Sequence, residues 1–280
     1  GITQVNMSVD VIIATLLPAG TASVLYYADR LVQLPLGVIG IAVGTALLPL
    51  LTRTVVAAER GENPHAPLAA LNQAITYALV LTLPAALALA VVGRPIVEVL
   101  FLRGAFDPAS VVLTAQSLAA YALGLPAFVL LKVLAPGFFA RGDTAMPMRI
   151  GLASIALNLA LNVAFMGPLQ HMGPPLASSL SNWANVVGLA TVLAWRGHMA
   201  IDRPLLLAVA RILAACLAMA AALYFLERAA YLPLMTHALL RWAGLAALVG
   251  GGPAAYAAAA IAVGLVRPRD LKALRRNRKP

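Results

Sequence analysis

An arginine lies inside a long apolar stretch of this chain, in the segment YYADRLVQLPLGVIGIAVGTALLPL at residues 26–50. A charge in the interior of a bilayer is costly, so Arg30 is a candidate functional residue. Tyr26 lies one helical turn away on the same face, whereas Asp29 is about 100° around the helix and cannot stack with Arg30 as an i,i+4 partner does. The guanidinium is therefore left to offer two parallel donors, which suits phosphate. An Arg–Asp bridge to another helix, which would only fix packing, is the alternative.

A second set of polar residues recurs at i,i+4 spacing inside apolar segments: Asn6 with Asp10, Asn158 with Asn162, and Ser178 with Asn182, where Ser179 adjoins the last pair. Residues spaced in this way share a helix face, so each segment carries one polar stripe. Converging stripes would form an oxygen-rich pocket with one carboxylate, which suits a monovalent cation or a proton. Interhelical hydrogen bonding is the favoured alternative for the Asn and Ser residues. It explains Asp10 less well, because such packing needs no charge.

Lys132 is the third candidate, in the segment KVLAPGFFARGD at residues 132–143. Its side chain either lines the same cavity as Arg30 or extends its ammonium group toward an interface. No enzyme constellation accompanies these residues. The four histidines lie in loops or at the ends of apolar segments without metal-ligand spacing, and the chain has no GxxxxGK[ST] or GxGxxG motif. The sequence therefore predicts no catalytic site, no metal site and no cofactor.

Composition assigns the elements that position these residues. The chain is 62% hydrophobic and 11% charged, with a mean hydropathy of +0.90, whereas soluble domains carry about 25% charged residues. This composition predicts an all-α polytopic membrane protein. We place eight transmembrane helices, at 1–18, 21–54, 66–92, 107–139, 144–166, 174–196, 203–226 and 236–266, because polar or Pro- and Gly-rich breaks separate these segments. Residues 94–106 are too few to cross a bilayer and are predicted to form a short interfacial helix.

The positive charges predict the orientation. The net charge is +10, but seven of the twenty Lys and Arg residues fall in the last fourteen positions, RPRDLKALRRNRKP. This distribution indicates a basic tail beside the membrane, where it could contact anionic lipid, and argues against nucleic acid. Alternate loops carry six further cations, thirteen with the tail, against four in the opposite loops. The asymmetry predicts that the tail is cytoplasmic.

The chain resembles the MurJ/MviN family, the lipid II flippases of bacterial cell-wall synthesis, within the multidrug/oligosaccharidyl-lipid/polysaccharide exporter superfamily. The segments that carry the resemblance are GITQVNMSVDVIIAT at 1–15, YYADRLVQLPLGVIGIAVGTALLPLLTR at 26–53, KVLAPGFFARGDTAMPMRI at 132–150 and NVAFMGPLQHMG at 162–173. It extends over essentially the whole chain and implies the C-terminal portion of a fourteen-helix transporter, so we expect an N-terminal half to be missing.

The resemblance implies a domain organisation and a function. Residues 1–198 would be the second six-helix lobe, 199–267 an extra helix pair, and 268–280 a basic cytoplasmic tail. The protein would flip lipid II across the bacterial inner membrane by alternating access and so serve peptidoglycan synthesis and cell shape. Arg30 matches a family arginine in the cavity that receives the pyrophosphate-linked head group, with Asp29, Tyr26 and Lys132 as further substrate-binding candidates. The resemblance also implies coupling to an ion or to the membrane potential, and the polar stripes with Asp10 are the candidate ion site.

Two other functions remain open at this point. One is a related exporter of another polyprenyl-linked glycan or of a drug, although a cationic drug would favour cavity acids over an arginine. The other is an intramembrane enzyme acting on polyprenyl phosphates. Such an enzyme would need clustered carboxylates or histidines at a loop edge, and the sequence has none there.

Overall fold

The protein is a bundle of long helices. The computed structural model describes residues 18, 20–63, 65–231 and 240–265, and within them it contains α-helices and no strand. The helices are α1 Thr21–Glu59, α2 Ala66–Phe101, α3 Pro108–Phe139, α4 Ala145–Phe165, α5 Gly173–Trp195, α6 Arg203–Leu226 and α7 Leu240–Ala262. A short 3-10 turn, Gln170–Met172, precedes α5, and a π-helical turn, Glu227–Tyr231, follows α6. The predicted all-α class is confirmed.

Six of these helices, α2 to α7, are long and apolar enough to cross a membrane. The chain is therefore a multi-pass membrane protein. Helix α1 has 39 residues, which corresponds to about 58 Å and exceeds the hydrocarbon core of about 30 Å. It runs five residues beyond the predicted end at residue 54. The predicted first span, at 1–18, lies outside the described residues except for Pro18.

Helix α2 differs from the sequence prediction in how it ends. It was expected to stop at residue 92, before a separate helix at 94–106. Val92 does leave helical geometry, with φ −102° and ψ 18°, but helical structure resumes and continues to Phe101. Pro95 accounts for the local break, because its ring clashes with the carbonyl four residues earlier and provides no N–H. Residues 102–107 then form a non-helical connection to α3.

Helices α1, α3 and α5 end in the same local structure. Each terminates at an Arg-Gly pair whose glycine has positive φ: Gly61 at 80°, Gly142 at 73° and Gly197 at 72°. The residue after each glycine donates its N–H to the carbonyl five residues earlier: Glu62 to Ala57 at 3.1 Å, Asp143 to Phe138 at 3.1 Å and His198 to Leu193 at 2.8 Å. This is the Schellman motif, which requires a left-handed residue and so favours glycine.

Helix α3 is the centre of the larger part of the bundle, since it packs against α1, α2 and α5. Apolar side chains from α1, α2 and α3 form one core cluster: Leu25, Ala28, Leu31, Val32, Ala86, Val97, Val111, Leu118, Tyr121 and Leu125. At one end of this cluster Tyr27 packs against Phe101 and Phe106, with ring centroids at 4.6 and 5.4 Å. These contacts fix the rotation of α1 about its axis, which decides where Tyr26 and Arg30 point.

The chain divides into two compact units, Gly1–Ile201 and Asp202–Pro280. In the second unit α6 packs on α7 through small residues. An added Cβ on Gly251 would lie 2.7 Å from the Leu226 side chain, and one on Gly252 would lie 3.4 Å from Leu223. Small residues of this kind let membrane helices approach closely. The assignment of residues 1–198, 199–267 and 268–280 to a lobe, a helix pair and a tail stays a prediction.

Candidate functional site

Arg30 lies on the exposed face of α1, opposite the core residues of that helix. Its guanidinium carbon stacks 4.8 Å from the centre of the Tyr26 ring. On the other side its Nη1 donates a hydrogen bond to Gln33 Oε1 at 3.1 Å. The side chain is thus held between two neighbours on its own helix, one a turn before it and one a turn after it.

Asp29 takes part in this arrangement through Gln33. The Gln33 amide donates through Nε2 to Asp29 Oδ2 while its oxygen accepts from Arg30. Within the part of the chain that the structure describes, no ion pair joins Asp29 directly to Arg30. Gln33 therefore separates the two charges, as the predicted angular offset of these adjacent residues requires. The remaining donors of the guanidinium are directed to no protein acceptor among the described residues, so the fork can receive an anion.

Lys132 belongs to α3 but lies against α1. A Cβ built on Gly40 would be 2.5 Å from Lys132 Nζ, so the lysine side chain rests on the bare backbone of α1 at that point. Gly40 is ten residues beyond Arg30, which is about 15 Å along a helix. The two cations therefore border the same helix at different depths and do not form one cluster. Lys132 is exposed, and this position leaves both sequence interpretations of it open.

The polar residues of α4 and α5 converge, as the shared spacing suggested. Asn158 Nδ2 donates to Ser178 Oγ at 3.2 Å, and Asn162 Nδ2 donates to Asn158 Oδ1 at 3.2 Å. Asn158 and Asn162 are fully buried, and Ser178 and Asn182 are nearly so. Asn182 donates back to the Ser178 carbonyl at 2.6 Å. The stripes of these two helices thus form one buried hydrogen-bonded cluster.

Ser179 faces a different helix. Its hydroxyl donates to the Ala120 carbonyl of α3 at 2.7 Å, next to Gly124, where an added Cβ would lie 2.6 Å from Ser179 Oγ. This contact fits the interhelical hydrogen bonding that the sequence offered as an alternative. Asn6 and Asp10 lie outside the described residues, so the carboxylate of the predicted ion site does too. Among the described residues no group of three or more His, Cys, Asp or Glu side chains is arranged to hold a metal ion.

Sequence reasoning missed Gln33. The signal was available, because Gln33 lies four residues after Asp29 and three after Arg30, and both spacings bring side chains together on a helix. It also missed the repeated Arg-Gly pair at three helix ends, which places Arg141 and His198 beside one another at the ends of α3 and α5. Recurrence of a basic residue before glycine is a recognised mark of a helix C-terminus.

Comparison with known proteins identifies relatives over most of the chain. Residues 1–242 match the family described as lipid II flippase MurJ. A probable lipid II flippase MurJ of Rhizobium meliloti (strain 1021) is 44% identical over 266 residues, which are 94% of this chain and 49% of that protein. The corresponding protein of Vibrio cholerae serotype O1 is 36% identical over 272 residues, which are 97% of this chain and 51% of that protein. The chain thus spans about half the length of the curated relatives it matches.

A solved structure shares the fold. The structure described as lipid II flippase MurJ in an inward closed conformation superposes with a TM-score of 0.75, covering 96% of this chain and 52% of that one. The sequence identity is 22%, so this likeness supports the helical architecture alone.

Proposed function

Because the chain belongs to the MurJ family of lipid II flippases, we propose that it takes part in moving lipid II across the bacterial cytoplasmic membrane. Lipid II joins an undecaprenyl chain to a sugar-peptide head group through a pyrophosphate. The head group cannot cross hydrocarbon unaided, since desolvating its charges and polar groups is costly. A polar path with a fixed cation would lower that cost.

The observation that carries this proposal is the geometry around Arg30. The guanidinium is stacked on Tyr26 and oriented by Gln33, while its charge is separated from Asp29. A planar fork with free donors is suited to pyrophosphate oxygens, which it can bind through two parallel hydrogen bonds. Lys132, about 15 Å further along α1, would contact the head group or the lipid surface rather than the same phosphate.

The proposed mechanism is alternating access. The head group enters from the cytoplasmic side, with its prenyl tail left in the bilayer. Contact between the pyrophosphate and Arg30 favours closure of this lobe against an opposing lobe of the kind that the family resemblance implies. Rocking of the two lobes then opens the cavity to the other side. The substrate leaves chemically unchanged, so we propose a transporter and not an enzyme.

We further propose that transport is coupled to an ion through the buried cluster of Asn158, Asn162 and Ser178. Amide and hydroxyl oxygens suit a hard monovalent cation, and Asp10 would supply the charge. The described contacts also link these side chains to one another, through one hydrogen bond between Asn158 of α4 and Ser178 of α5 and one within α4 between Asn162 and Asn158. Ion dependence of transport that is lost in Asp10→Asn would support the coupling role.

The family and the six apolar helices support a multi-pass protein of the inner membrane. We propose that its basic tail lies in the cytoplasm, because loop cations favour that side. A related exporter of another polyprenyl-linked glycan uses the same chemistry at Arg30, since the pyrophosphate is common to such carriers. The peptide and sugar of the substrate therefore have to be identified by transport assays with different carriers.

The test replaces Arg30 by Ala in the complete reading frame that contains these residues, in cells depleted of their own flippase. Arg228 is a matched control, because its guanidinium stacks 4.5 Å from the ring of Tyr224, four residues earlier, as Arg30 does on Tyr26. Loss of charge-assisted hydrogen bonds costs about 1.5–3 kcal/mol, or about 10- to 150-fold in binding. We expect a loss of that order in externally exposed lipid II for Arg30→Ala at unchanged protein level, and normal exposure for Arg228→Ala.

Arg30→Lys separates charge from geometry, because lysine keeps the charge and loses the planar fork. Intermediate exposure is expected for this variant. Normal exposure in Arg30→Ala would assign Arg30 a packing role and remove the residue-level basis of the proposal.

A further inference from the structure

A pocket lies at the end of the bundle where α1, α3 and α5 terminate. Its volume is about 470 Å³, and its lining combines apolar side chains with three polar ones: Val55, Pro67, Leu68, Glu59, Arg141 and His198. The helices that end here include two long enough to cross a membrane, α3 and α5. The pocket therefore occupies the level at which spans meet the polar head-group region.

The polar groups of the pocket are fixed by the backbone. Arg141 and His198 belong to the Arg-Gly motifs that end α3 and α5, and Glu59 is the last residue of α1. Two Schellman turns hold the arginine and the histidine at defined positions, so they do not depend on a long loop. The backbone structure at the ends of three helices therefore positions the polar groups of the pocket.

Among the described residues that line this pocket, Arg141 is a cation without an ion-pair partner. Its Nη1 donates to the Gly137 carbonyl at 2.6 Å, which leaves other donors of the guanidinium without a protein acceptor among the described residues. Burial lowers the pKa of Arg141, and the field of Glu59 opposes that shift. Within the described ranges no carboxylate oxygen lies within 4.0 Å of it. A half-buried guanidinium without a counter-ion favours binding of an anion.

Apart from Glu59, the other ionisable groups near Arg141 are either paired with each other or uncharged. Arg196 pairs with Asp143 at 2.6 Å and lies 5.9 Å from the centre of the Phe138 ring. Backbone hydrogen bonding from Met146, followed by the bond from Arg196, lowers the pKa of Asp143, which keeps it ionised. Burial, with Arg141 and Arg196 nearby, lowers the pKa of His198, so its imidazole stays neutral near pH 7. Arg141 and Glu59 are left as the two formal charges of the lining.

A lining with one cation and one anion that do not touch favours a ligand with both signs. A bare phosphate would gain Arg141 but meet repulsion from Glu59, whereas a phosphate with an adjacent ammonium satisfies both. Val55, Pro67 and Leu68 provide an apolar wall for the carbon atoms that follow. We propose that this pocket binds a phosphate–ammonium head group of the phosphoethanolamine type, with the phosphate on Arg141 and the ammonium toward Glu59.

The experiment uses the protein purified in detergent from the complete reading frame. Native mass spectrometry measures how much phosphatidylethanolamine, phosphatidylglycerol and phosphatidylcholine is retained when the three are supplied at equal concentration. Phosphoethanolamine and inorganic phosphate are then added as water-soluble competitors. The variants are Arg141→Gln, Glu59→Gln and, as a matched control, Arg60→Ala, which removes an exposed arginine next to Glu59 that does not line the pocket.

We expect wild type to retain phosphatidylethanolamine in preference to both other lipids, because phosphatidylglycerol has no ammonium and phosphatidylcholine has no N–H to offer Glu59. Arg141→Gln should lower its retention about tenfold or more, as expected for loss of a charge-assisted contact to phosphate. Glu59→Gln should abolish the preference over phosphatidylglycerol without lowering phosphatidylglycerol retention. Arg60→Ala should resemble wild type.

The outcomes separate the sources of the ligand. Displacement by phosphoethanolamine alone supports the head-group chemistry and admits a soluble ligand, whereas retention against it assigns the site to a lipid. Equal retention in wild type and Arg141→Gln overturns the proposal. If inorganic phosphate displaces the lipid as effectively as phosphoethanolamine does, the role of Glu59 is overturned. Glu59→Gln alters an exposed side chain and preserves folding, so the test does not depend on the stability of Arg141→Gln.

Discussion

At the scale of single residues, the arrangement around Arg30 shows how a membrane protein can keep a cation available. The Tyr26 ring covers one side of the guanidinium, and Gln33 fixes its rotation from the other. Asp29 is half-buried and is joined to Arg30 by hydrogen bonds through the Gln33 amide. A direct Asp29–Arg30 ion pair would have neutralised the arginine within the protein, whereas the intervening glutamine is consistent with the proposed role of Arg30 in binding an anionic substrate.

Gln33 is therefore predicted to position Arg30. Gln33→Ala should weaken lipid II binding by about 0.5–1.5 kcal/mol, or about 2- to 10-fold, because one hydrogen bond that orients the guanidinium is lost. Gln33→Glu should weaken binding further, since its carboxylate would pair with Arg30 and repel the pyrophosphate. The measurement is the Kd for lipid II of the purified protein.

A matched control for these variants is Gln73→Ala. Gln73 also lies on an exposed helix face and donates to a side chain four residues away, Tyr77 OH at 2.9 Å. It should leave the Kd unchanged. Tighter binding in Gln33→Glu, or wild-type binding in Gln33→Ala, would show that Gln33 does not act on the substrate through Arg30.

The candidate residues of this site could be selected from the sequence, but the hydrogen bonds and contacts between them could not. An arginine in an apolar segment can be recognised as a candidate because placing its charge in a bilayer costs free energy. The direction of the Gln33 amide depends on Asp29 being half-buried beside it, which is a matter of packing. Lys132 illustrates the same limit, because its contact with Gly40 depends on how closely α3 approaches α1.

At the scale of helices, the position of a helix end is determined by residues close to it in sequence, whereas the crossing of two helices depends on residues far apart in sequence. Three helices end at Arg-Gly pairs whose glycines have positive φ, and two begin at aspartate and proline. Each of these signals determines a helix boundary only a few residues away. Asp107 accepts from Ser110 N at 2.7 Å and Asp202 from Leu205 N at 2.9 Å, each beside a proline of the first turn. Such signals explain why the ends of α3 to α6 fall within one residue of prediction.

The crossing of α3 and α5 depends on the absence of a side chain at Gly124. An added Cβ there would lie 2.6 Å from Ser179 Oγ and 3.0 Å from Ser179 Cα. Because a backbone atom blocks the space, Gly124→Ala should separate the helices and weaken the Ser179–Ala120 hydrogen bond. We expect destabilisation of about 1–3 kcal/mol, typical of overpacking, measured as a lower thermal midpoint of the purified protein.

Gly250→Ala is the matched control for this prediction. Gly250 lies inside α7, and an added Cβ there meets nothing within 4 Å. Alanine is favoured over glycine in a helix interior by about 1 kcal/mol, so this variant should be neutral or slightly stabilising. An unchanged midpoint in Gly124→Ala would mean that α3 and α5 accommodate the methyl group by a small shift.

At the scale of the whole molecule, hydropathy and charge carry different information. Hydropathy defined where helices lie, and the all-α fold agrees with it because each membrane helix satisfies its own backbone hydrogen bonds. Hydropathy is symmetric about the bilayer and cannot give orientation. The loop cations break this symmetry, and they predict that the ends of α1, α3 and α5, with their three Arg-Gly motifs, face the cytoplasm.

Orientation can be tested by cysteine labelling, because Cys216 is the one cysteine among these 280 residues and is buried. In a Cys216→Ala background, Glu62→Cys would mark the loop after α1, and Ala105→Cys would mark the connection between α2 and α3. Both positions are exposed and lie at opposite ends of α2. A membrane-impermeant maleimide should label Ala105→Cys in intact spheroplasts and Glu62→Cys only after permeabilisation. The reverse pattern would contradict the orientation that the loop cations predict. It would place the pocket at Arg141 outside the cell and invert the direction from which Arg30 meets its substrate.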